Sequence, residues 1–447
     1  MLMTAGMVMS GVAVFFIVKG MKKEQSLEDH LRHFYLIGKT GCGKSTTIRN
    51  RLFIPWIKEG YGGMVLETKD KGTIDDILNS IPEEHHDRVI VFDVLDMAVK
   101  KKWIGLNLLE DNYNLTTSKT LITGEVMSIL KRHFGETAIQ ARSEDYFRNA
   151  ILASLDQGSP DISSVYKMLT DPEYREESLE RIGNPVVSEY YRKYFSDKTT
   201  DLTAPLNKLR AFLSNPLIIN VLIQPRGLNI RQVIEEQKIL LVLLPKGLIG
   251  EDTSRLLAST FLSKAQLAAQ SRANIPKSDR IKKPFRIIAD EFQDYANSSF
   301  NTFLEQSRAF AISLVVAHQL LGQKGIDKDI ISSIKGNIGS FFIFRCGIED
   351  SGILQEITKV DNAKEQQFDR KFLEDMANHT YIEKLTVNDK MQKPRHIKND
   401  KPELLGDYAE KLREQSLEKY GIPEGKIRER IETIFADEEI SYGSEAI

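Results

Sequence analysis

The sequence predicts an α/β protein: a mostly parallel sheet flanked by helices, interrupted by an all-helical insertion. Three observations carry this expectation. Short apolar runs bounded by turn residues recur along the chain, helical stretches separate most of them, and one long segment holds helices without strands.

The apolar runs are Phe34–Ile37, Gly63–Glu67, Arg88–Phe92, Ile239–Leu244, Phe285–Asp290, Ile312–Ala317 and Phe341–Phe344. Near-continuous hydrophobic runs of this length suit strands covered on both faces, as in a parallel sheet. Such a sheet binds ligands at the carboxyl ends of its strands. Between about Glu110 and Gln237 the alternation stops, and Ser143–Leu155, Ile162–Leu169 and Thr203–Leu213 read as amphipathic helices. The expected division is therefore a core over residues 25–110 and 237–400, a helical insertion over 111–236, and a charged helical tail over 401–447. Two helices are expected in that tail, Glu403–Tyr420 and Pro423–Glu438, with Pro423 at a favourable first position. Their charge suggests a solvated pair or a docking element for a neighbouring subunit.

The 447 residues, 41% hydrophobic and 28% charged, are those of a folded globular protein with no fixed-period repeat. A net charge of -2 means that affinity for nucleic acid must come from a local basic surface. Two segments offer one: Arg272 to Arg286, with Lys277, Arg280, Lys282 and Lys283, and Lys131-Arg132-His133. Cys42 and Cys346 alone make no disulfide framework and fit a reducing interior. His85 and His86 are chain neighbours facing different ways, and no Cys/His cluster has zinc spacing. From Leu2 to Val18 no charged residue occurs. That stretch sits at the short end of the roughly 17–25 residues that cross a bilayer. Lys19, Lys22 and Lys23 follow it, so residues 1–24 read as an anchor that leaves the rest at the cytoplasmic face, or as a docked N-terminal helix.

After the first apolar run comes Gly38-Lys39-Thr40-Gly41-Cys42-Gly43-Lys44-Ser45, followed by Thr46 at the opening of a helix. The order strand, glycine-rich turn, helix is what a phosphate loop requires. The glycines let successive backbone N–H groups point into one concavity around a β-phosphate. Lys44 places a charge between β- and γ-phosphates, and the Ser45 hydroxyl offers an oxygen ligand to Mg²⁺. The helix N-terminus adds partial positive charge. ATP and Mg²⁺ are the expected ligands. The run Phe285–Asp290 ends in Asp290-Glu291, which puts Asp290 in the Mg²⁺ shell and Glu291 beside the attacking water. Ile312–Ala317 leads into His318-Gln319, so Gln319 would stand near the γ-phosphate as a sensor of hydrolysis. Arg308, at the end of a helix over Phe300–Ser307, is a candidate arginine finger for a neighbouring subunit, and Arg345 a second.

These motifs, in this order, resemble the HerA and FtsK superfamily of ring-forming ATPases, and within it the TraG/TraD-type coupling proteins of conjugation and type IV secretion. The likeness runs from the phosphate loop to about residue 385. It includes Gly62-Gly63, Arg88-Val89-Ile90-Val91-Phe92-Asp93, Gly105-Leu106-Asn107-Leu108-Leu109, Asp290-Glu291-Phe292-Gln293, Ser307-Arg308-Ala309-Phe310, Ala317-His318-Gln319 and Gly336-Asn337 before Phe344-Arg345. The resemblance implies a RecA-like P-loop ATPase core and a membrane-anchored homo-hexamer. It also implies an inserted helical domain facing the substrate, a central pore for DNA, and a relaxase or nucleoprotein cargo and channel components as partners. The spacing from Arg308 to Gln319 fits the family's finger and glutamine sensor. Two positions depart from it: Glu67-Thr68-Lys69-Asp70-Lys71-Gly72 stands where the family has Asp-Pro-Lys-Gly, and Asn107-Leu108-Leu109 where it has Asn-Pro-Leu. The expected function is ATP-driven DNA translocation. The other readings are an ATP-dependent receptor for protein cargo, a HerA/FtsK-like DNA-processing or packaging ATPase, and a non-motor nucleotide switch.

Overall fold

A computed structural model describes residues 27–435 apart from 114, 136–137, 295–298, 323–327, 360–367 and 402. Its strands are β1 (His33–Ile37), β2 (Gly62–Glu67), β3 (Val89–Asp93), β4 (Lys102–Ile104), β5 (Ile239–Leu243), β6 (Phe285–Asp290), β7 (Ile312–His318), β8 (Ile338–Ile343), β9 (Thr380–Lys384), β10 (Thr386–Val387), β11 (Lys390–Met391), β12 (Arg395–Lys398) and β13 (Gly421–Pro423). One nine-stranded sheet runs β12-β9-β8-β1-β7-β6-β2-β5-β3. The strands from β8 to β3 in that order are mutually parallel, and β9 and β12 continue the β8 edge antiparallel. The α/β class expected from the apolar runs is the observed one.

Every residue of β1, β2, β3, β5, β6, β7 and β8 is buried, because helices cover both faces. Alternation within a strand then sorts side chains into two cores. Phe34, Leu36 and Val65 belong to one, with Trp56 and Leu241, while Tyr35, Ile37 and Leu66 belong to the other. The second core continues through Phe261 of helix Glu251–Ser271 into Phe147 and Phe212 of the helical segment. The insertion and the sheet therefore share one apolar interior.

Differences from expectation fall at the edges. β8 begins at Ile338, ahead of the apolar run, because Gly339 and Ser340 interrupt the hydrophobic signal while their backbone still pairs with β1. Edge strand β12 carries Arg395 and Lys398, charges that suit an open edge, while β9 inside it buries Glu383 against Arg51 and Arg395, and in both strands the charges mask the strand as loop. Pro423 does not open a helix: it ends β13, which pairs antiparallel with β4.

Helix Ala409–Tyr420 is not solvated all round. It lies against the edge of the sheet and buries Leu412, Arg413, Ser416 and Leu417. Arg413 bonds Asp93 at 2.9 Å and Asp75 at 2.5 Å, and Val91 N donates to Ser416 Oγ at 2.9 Å. Helix Glu424–Phe435 then reaches the insertion, where Arg430 meets Asp161 at 2.6 Å and the Phe435 ring meets Tyr166.

The basic run Arg272 to Arg286 loses its first and last arginines to the interior. Arg286 lies 4.1 Å from the Trp56 ring centre and donates to the Leu52 and His30 carbonyls, and Arg272 donates to the Phe310 and Lys283 carbonyls. Lys131 pairs with Glu144, and Arg132 donates to the Gln293 carbonyl at 3.0 Å. Residues 1–24, the expected anchor, lie outside the described residues, among which no helix is long and apolar enough to cross a membrane.

Two buried histidines make the fold acid-sensitive. Burial, then the Arg286 charge, lowers His30 to about 3. Burial lowers His33 to about 4 even though its Nε2 sits 2.8 Å from the Leu304 carbonyl. Between these values and the ordinary 6.5 the unfolded chain binds protons that the native one refuses, so stability falls as pH drops through that window. Each histidine contributes a slope of up to about 1.4 kcal/mol per pH unit. Buried Glu67, raised to about 8, works in the opposite direction over this range, so the check is comparative: from pH 7 to pH 4 Tm should fall less in His30→Asn than in the wild type, and equal falls would contradict the burial of that ring.

Candidate nucleotide site

The phosphate loop is pinned between the carboxyl ends of two strands. Gly38 N donates to the His318 carbonyl at 3.4 Å, and Lys39 N to the Arg345 carbonyl at 2.9 Å. Gly41 and Gly43 hold φ of 74° and 105°, a left-handed backbone that L side chains rarely adopt. At Gly43 space is also short, since a Cβ would lie 2.8 Å from Asn399 Nδ2. Cys42 adds its carbonyl, accepting from His379 N at 2.8 Å, and packs its buried side chain against Gly38.

Lys39, Thr40 and Gly41 are exposed at the mouth, and Ser45 and Thr46 are half-buried on the first helical turn. Lys44 is buried, and its ammonium donates to the Gly38 and Lys39 carbonyls at 2.6 and 3.2 Å. A lysine curled onto its own loop is poised to exchange carbonyl oxygens for phosphate oxygens. After Thr47 the helix widens into a π-type turn over Ile48–Phe53 before Ile54–Lys58 resumes α geometry.

The acidic pair faces the loop. Asp290 pairs in register with Ala317 of β7, which itself pairs with Leu36 of β1, so one strand separates the carboxylates from the loop. Ser45 Oγ lies 3.4 Å from Asp290 Oδ2. Glu291 turns out of the strand with φ of 51° and is almost wholly buried. Its Oε1 accepts from Gln319 Nε2 at 2.9 Å and pairs with the Lys69 ammonium, and its Oε2 accepts from Gln293 Nε2 at 2.6 Å. Burial alone would raise the Glu291 carboxyl, but the Lys69 and Gln319 donors outweigh it and hold the group below its ordinary value.

Two neighbouring carboxylates are pushed the other way. Burial, then the charge of Glu291, raises Asp290. Burial, then the charge of Asp290, pushes Glu67 up to about 8. Among the described residues no three carboxylate, thiol or imidazole groups form a metal cage. The Ser45 hydroxyl and Asp290 carboxylate instead make the sparse oxygen set that Mg²⁺ accepts alongside substrate phosphates. The donor chemistry fits that ion.

Gln319 and the acidic pair are therefore brought to the loop. Arg308 is not: it is exposed in the turn Ser307–Phe310 at the amino end of β7. The seven residues of that strand put it roughly 20 Å from its own loop. Arg345 lies beside its own loop, and its Nε is buried without a hydrogen-bond partner among the described residues. Sequence reasoning assigned no role to Lys69, Gln293, His379 or Asn399. Lys69 and Gln293 stood in quoted motifs, whereas Asn399, which accepts from Thr47 Oγ1 at 2.8 Å, follows an edge strand with no apolar signal.

The parallel sheet, the glycine loop between strand and helix, and the acidic strand one place removed define a P-loop nucleoside-triphosphatase fold. The solved structures that share it include the bacterial conjugative coupling protein TrwB. Its unbound form superposes with a TM-score of 0.60 at 13% identity over 85% of this chain and 88% of that one. TrwB with ADP and Mg²⁺ gives 0.61 at 13% over 85% and 88%, and TrwB with the ATP analogue ADPNP 0.61 at 13% over 85% and 87%. No protein-family model and no curated protein matches the chain. The likeness of fold agrees with the coupling-protein resemblance of the motifs.

Proposed function

We propose that this chain is an Mg-ATP-hydrolysing motor that moves DNA as a coupling ATPase of conjugation or type IV secretion, working in a ring of identical subunits, a hexamer by the resemblance. One observation carries the reading: Ser45, Asp290, Glu291 and Gln319 converge beside Lys44 at the carboxyl ends of adjacent strands. The coupling protein TrwB, whose fold this chain shares, has been solved with ADP and Mg²⁺ and with ADPNP, which supports the same ligands here.

In this reading the backbone from Gly38 to Thr46 cradles the phosphates, and Lys44 moves from the loop carbonyls to β- and γ-oxygens. Ser45 and Asp290 would hold Mg²⁺, which when bound would neutralise charge on the phosphates. Glu291 orients the attacking water and takes its proton, and Gln319 bridges the γ-phosphate and Glu291. Arg308 serves the neighbouring subunit's site. The exposed part of Lys277–Lys283, and the insertion, are the DNA-facing candidates. Residues 1–24 would hold the ring at the cytoplasmic face of the membrane, where a relaxase or other nucleoprotein cargo and the channel components would meet it.

The test is ATP turnover of the purified oligomer with single- and double-stranded DNA, with Lys44→Ala as the inactive control. DNA should raise turnover several-fold, and the stimulation should fall steeply between about 50 and 200 mM salt as phosphate contacts are lost. Equal hydrolysis with and without DNA at low salt, by protein in its assembled state, would overturn the DNA reading and leave the ATPase.

A further inference from the structure

Glu291 is the base of the proposed reaction, and the structure holds it capped. Its Oε1 receives both the Lys69 ammonium and the Gln319 amide, and its Oε2 receives the Gln293 amide. A carboxylate offers about four lone-pair directions, so these three donors fill most of them. The oxygen that carries the cation has no well-oriented direction left for a water. A base must accept a bond from the nucleophile it activates, and only one direction, on Oε2, is left for it.

The donors differ in what holds them. Gln293 is buried, and its own carbonyl is tied to Arg132 of the insertion. Gln319 is half-buried directly after β7. Lys69 follows β2, the neighbour of β6, and only its backbone is fixed: its N–H donates to Glu67 Oε1 at 2.7 Å. Its side chain is about a third exposed, 32%, on a flexible four-carbon stem. Of the three it alone combines a full charge with solvent to move into. The phosphate loop follows β1, with β7 and β6 between it and β2, so an incoming triphosphate would reach from that loop towards Glu291 and compete with it for the ammonium.

We propose that Lys69 is a positioning residue that caps Glu291 and must leave it before hydrolysis, with the bound triphosphate drawing the ammonium away. The cap makes the departure of Lys69 a slow step between ATP binding and hydrolysis, one that DNA engagement can accelerate. This rests on the assignment of Glu291 as base in an ATPase.

The test uses Lys69→Met in the full chain, with steady-state ATP turnover measured with and without DNA. DNA-free kcat should rise roughly 2- to 5-fold, the scale of one partly exposed ion pair. KM for ATP should stay within about twofold, and the ratio of DNA-stimulated to DNA-free turnover should shrink. Lys69→Arg, which keeps the charge, should behave as wild type. Lys69→Gln provides the same readout should the methionine variant fold poorly, as judged by Tm. DNA-free turnover that is unchanged or lower in both neutral variants overturns the cap, a lower value meaning that Lys69 assists the chemistry instead. A wild-type chain without ATPase activity sinks the function itself, which this comparison separates from failure of the cap alone.

Discussion

Replacing Glu291 with Gln should lower ATP turnover by about 10²- to 10⁴-fold while leaving Mg-ATP affinity within a few-fold of wild type. Gln has nearly the same shape, so the φ of 51° at this position and the packing around it are kept. What it lacks is a lone pair able to take the proton of water. The three groups that now donate to Glu291 would meet an amide, and of them only Gln319 is also assigned a contact to the γ-phosphate, while the loop backbone, Lys44 and Ser45 are untouched. Steady-state turnover and equilibrium binding of a fluorescent ATP analogue separate the two effects. Turnover within tenfold of wild type would remove Glu291 from the chemistry and return attention to Asp290.

Arg308→Ala should cost about 10³- to 10⁵-fold in turnover, the range seen where an arginine stabilises a transferring phosphoryl group. The distance from its own loop, one full strand, excludes contact within a single chain. Its effect must then appear only in assembled protein and be supplied in trans. Mixing Arg308→Ala subunits with Glu291→Gln subunits provides the decisive comparison. At some interfaces an intact loop and base from the first variant meet an intact arginine from the second, so activity should reappear from two inactive proteins. A mixture as inactive as its parents, in rings shown to contain both, would make Arg308 a surface residue.

The central fold was readable because a strand covered on both faces leaves nothing but apolar residues to mark it. Phe34–Ile37, Phe285–Asp290 and Ile312–Ala317 match their strands to within a residue. The last two strands escape that logic: Arg395–Lys398 carries the charges that an open edge tolerates, and Thr380–Lys384 beside it holds Glu383, whose burial depends on Arg51 and Arg395 from elsewhere in the chain or the next strand. The site followed the same division. The glycine loop, Asp290-Glu291 and Gln319 each sit in a local pattern with its own chemical reason. Lys69 meets Glu291 across 222 positions of chain, and no local pattern encodes a contact of that separation. Arg413 looked like surface charge because its partners, Asp75 and Asp93, lie in a different part of the sequence.

That last contact bears on how partner selection by the C-terminal region can be studied. Deleting everything beyond residue 401 would take the guanidinium from Asp93, and breaking a buried pair of this kind costs about 3–5 kcal/mol. It would also wet the apolar surface that Leu412 and Leu417 cover and unhook the bridge from Arg430 to Asp161. A shortened chain that no longer captures cargo would be reporting a damaged scaffold. Substitutions at Gln415 and Glu418, which point outward on the same helix, question recognition while leaving the girder in place.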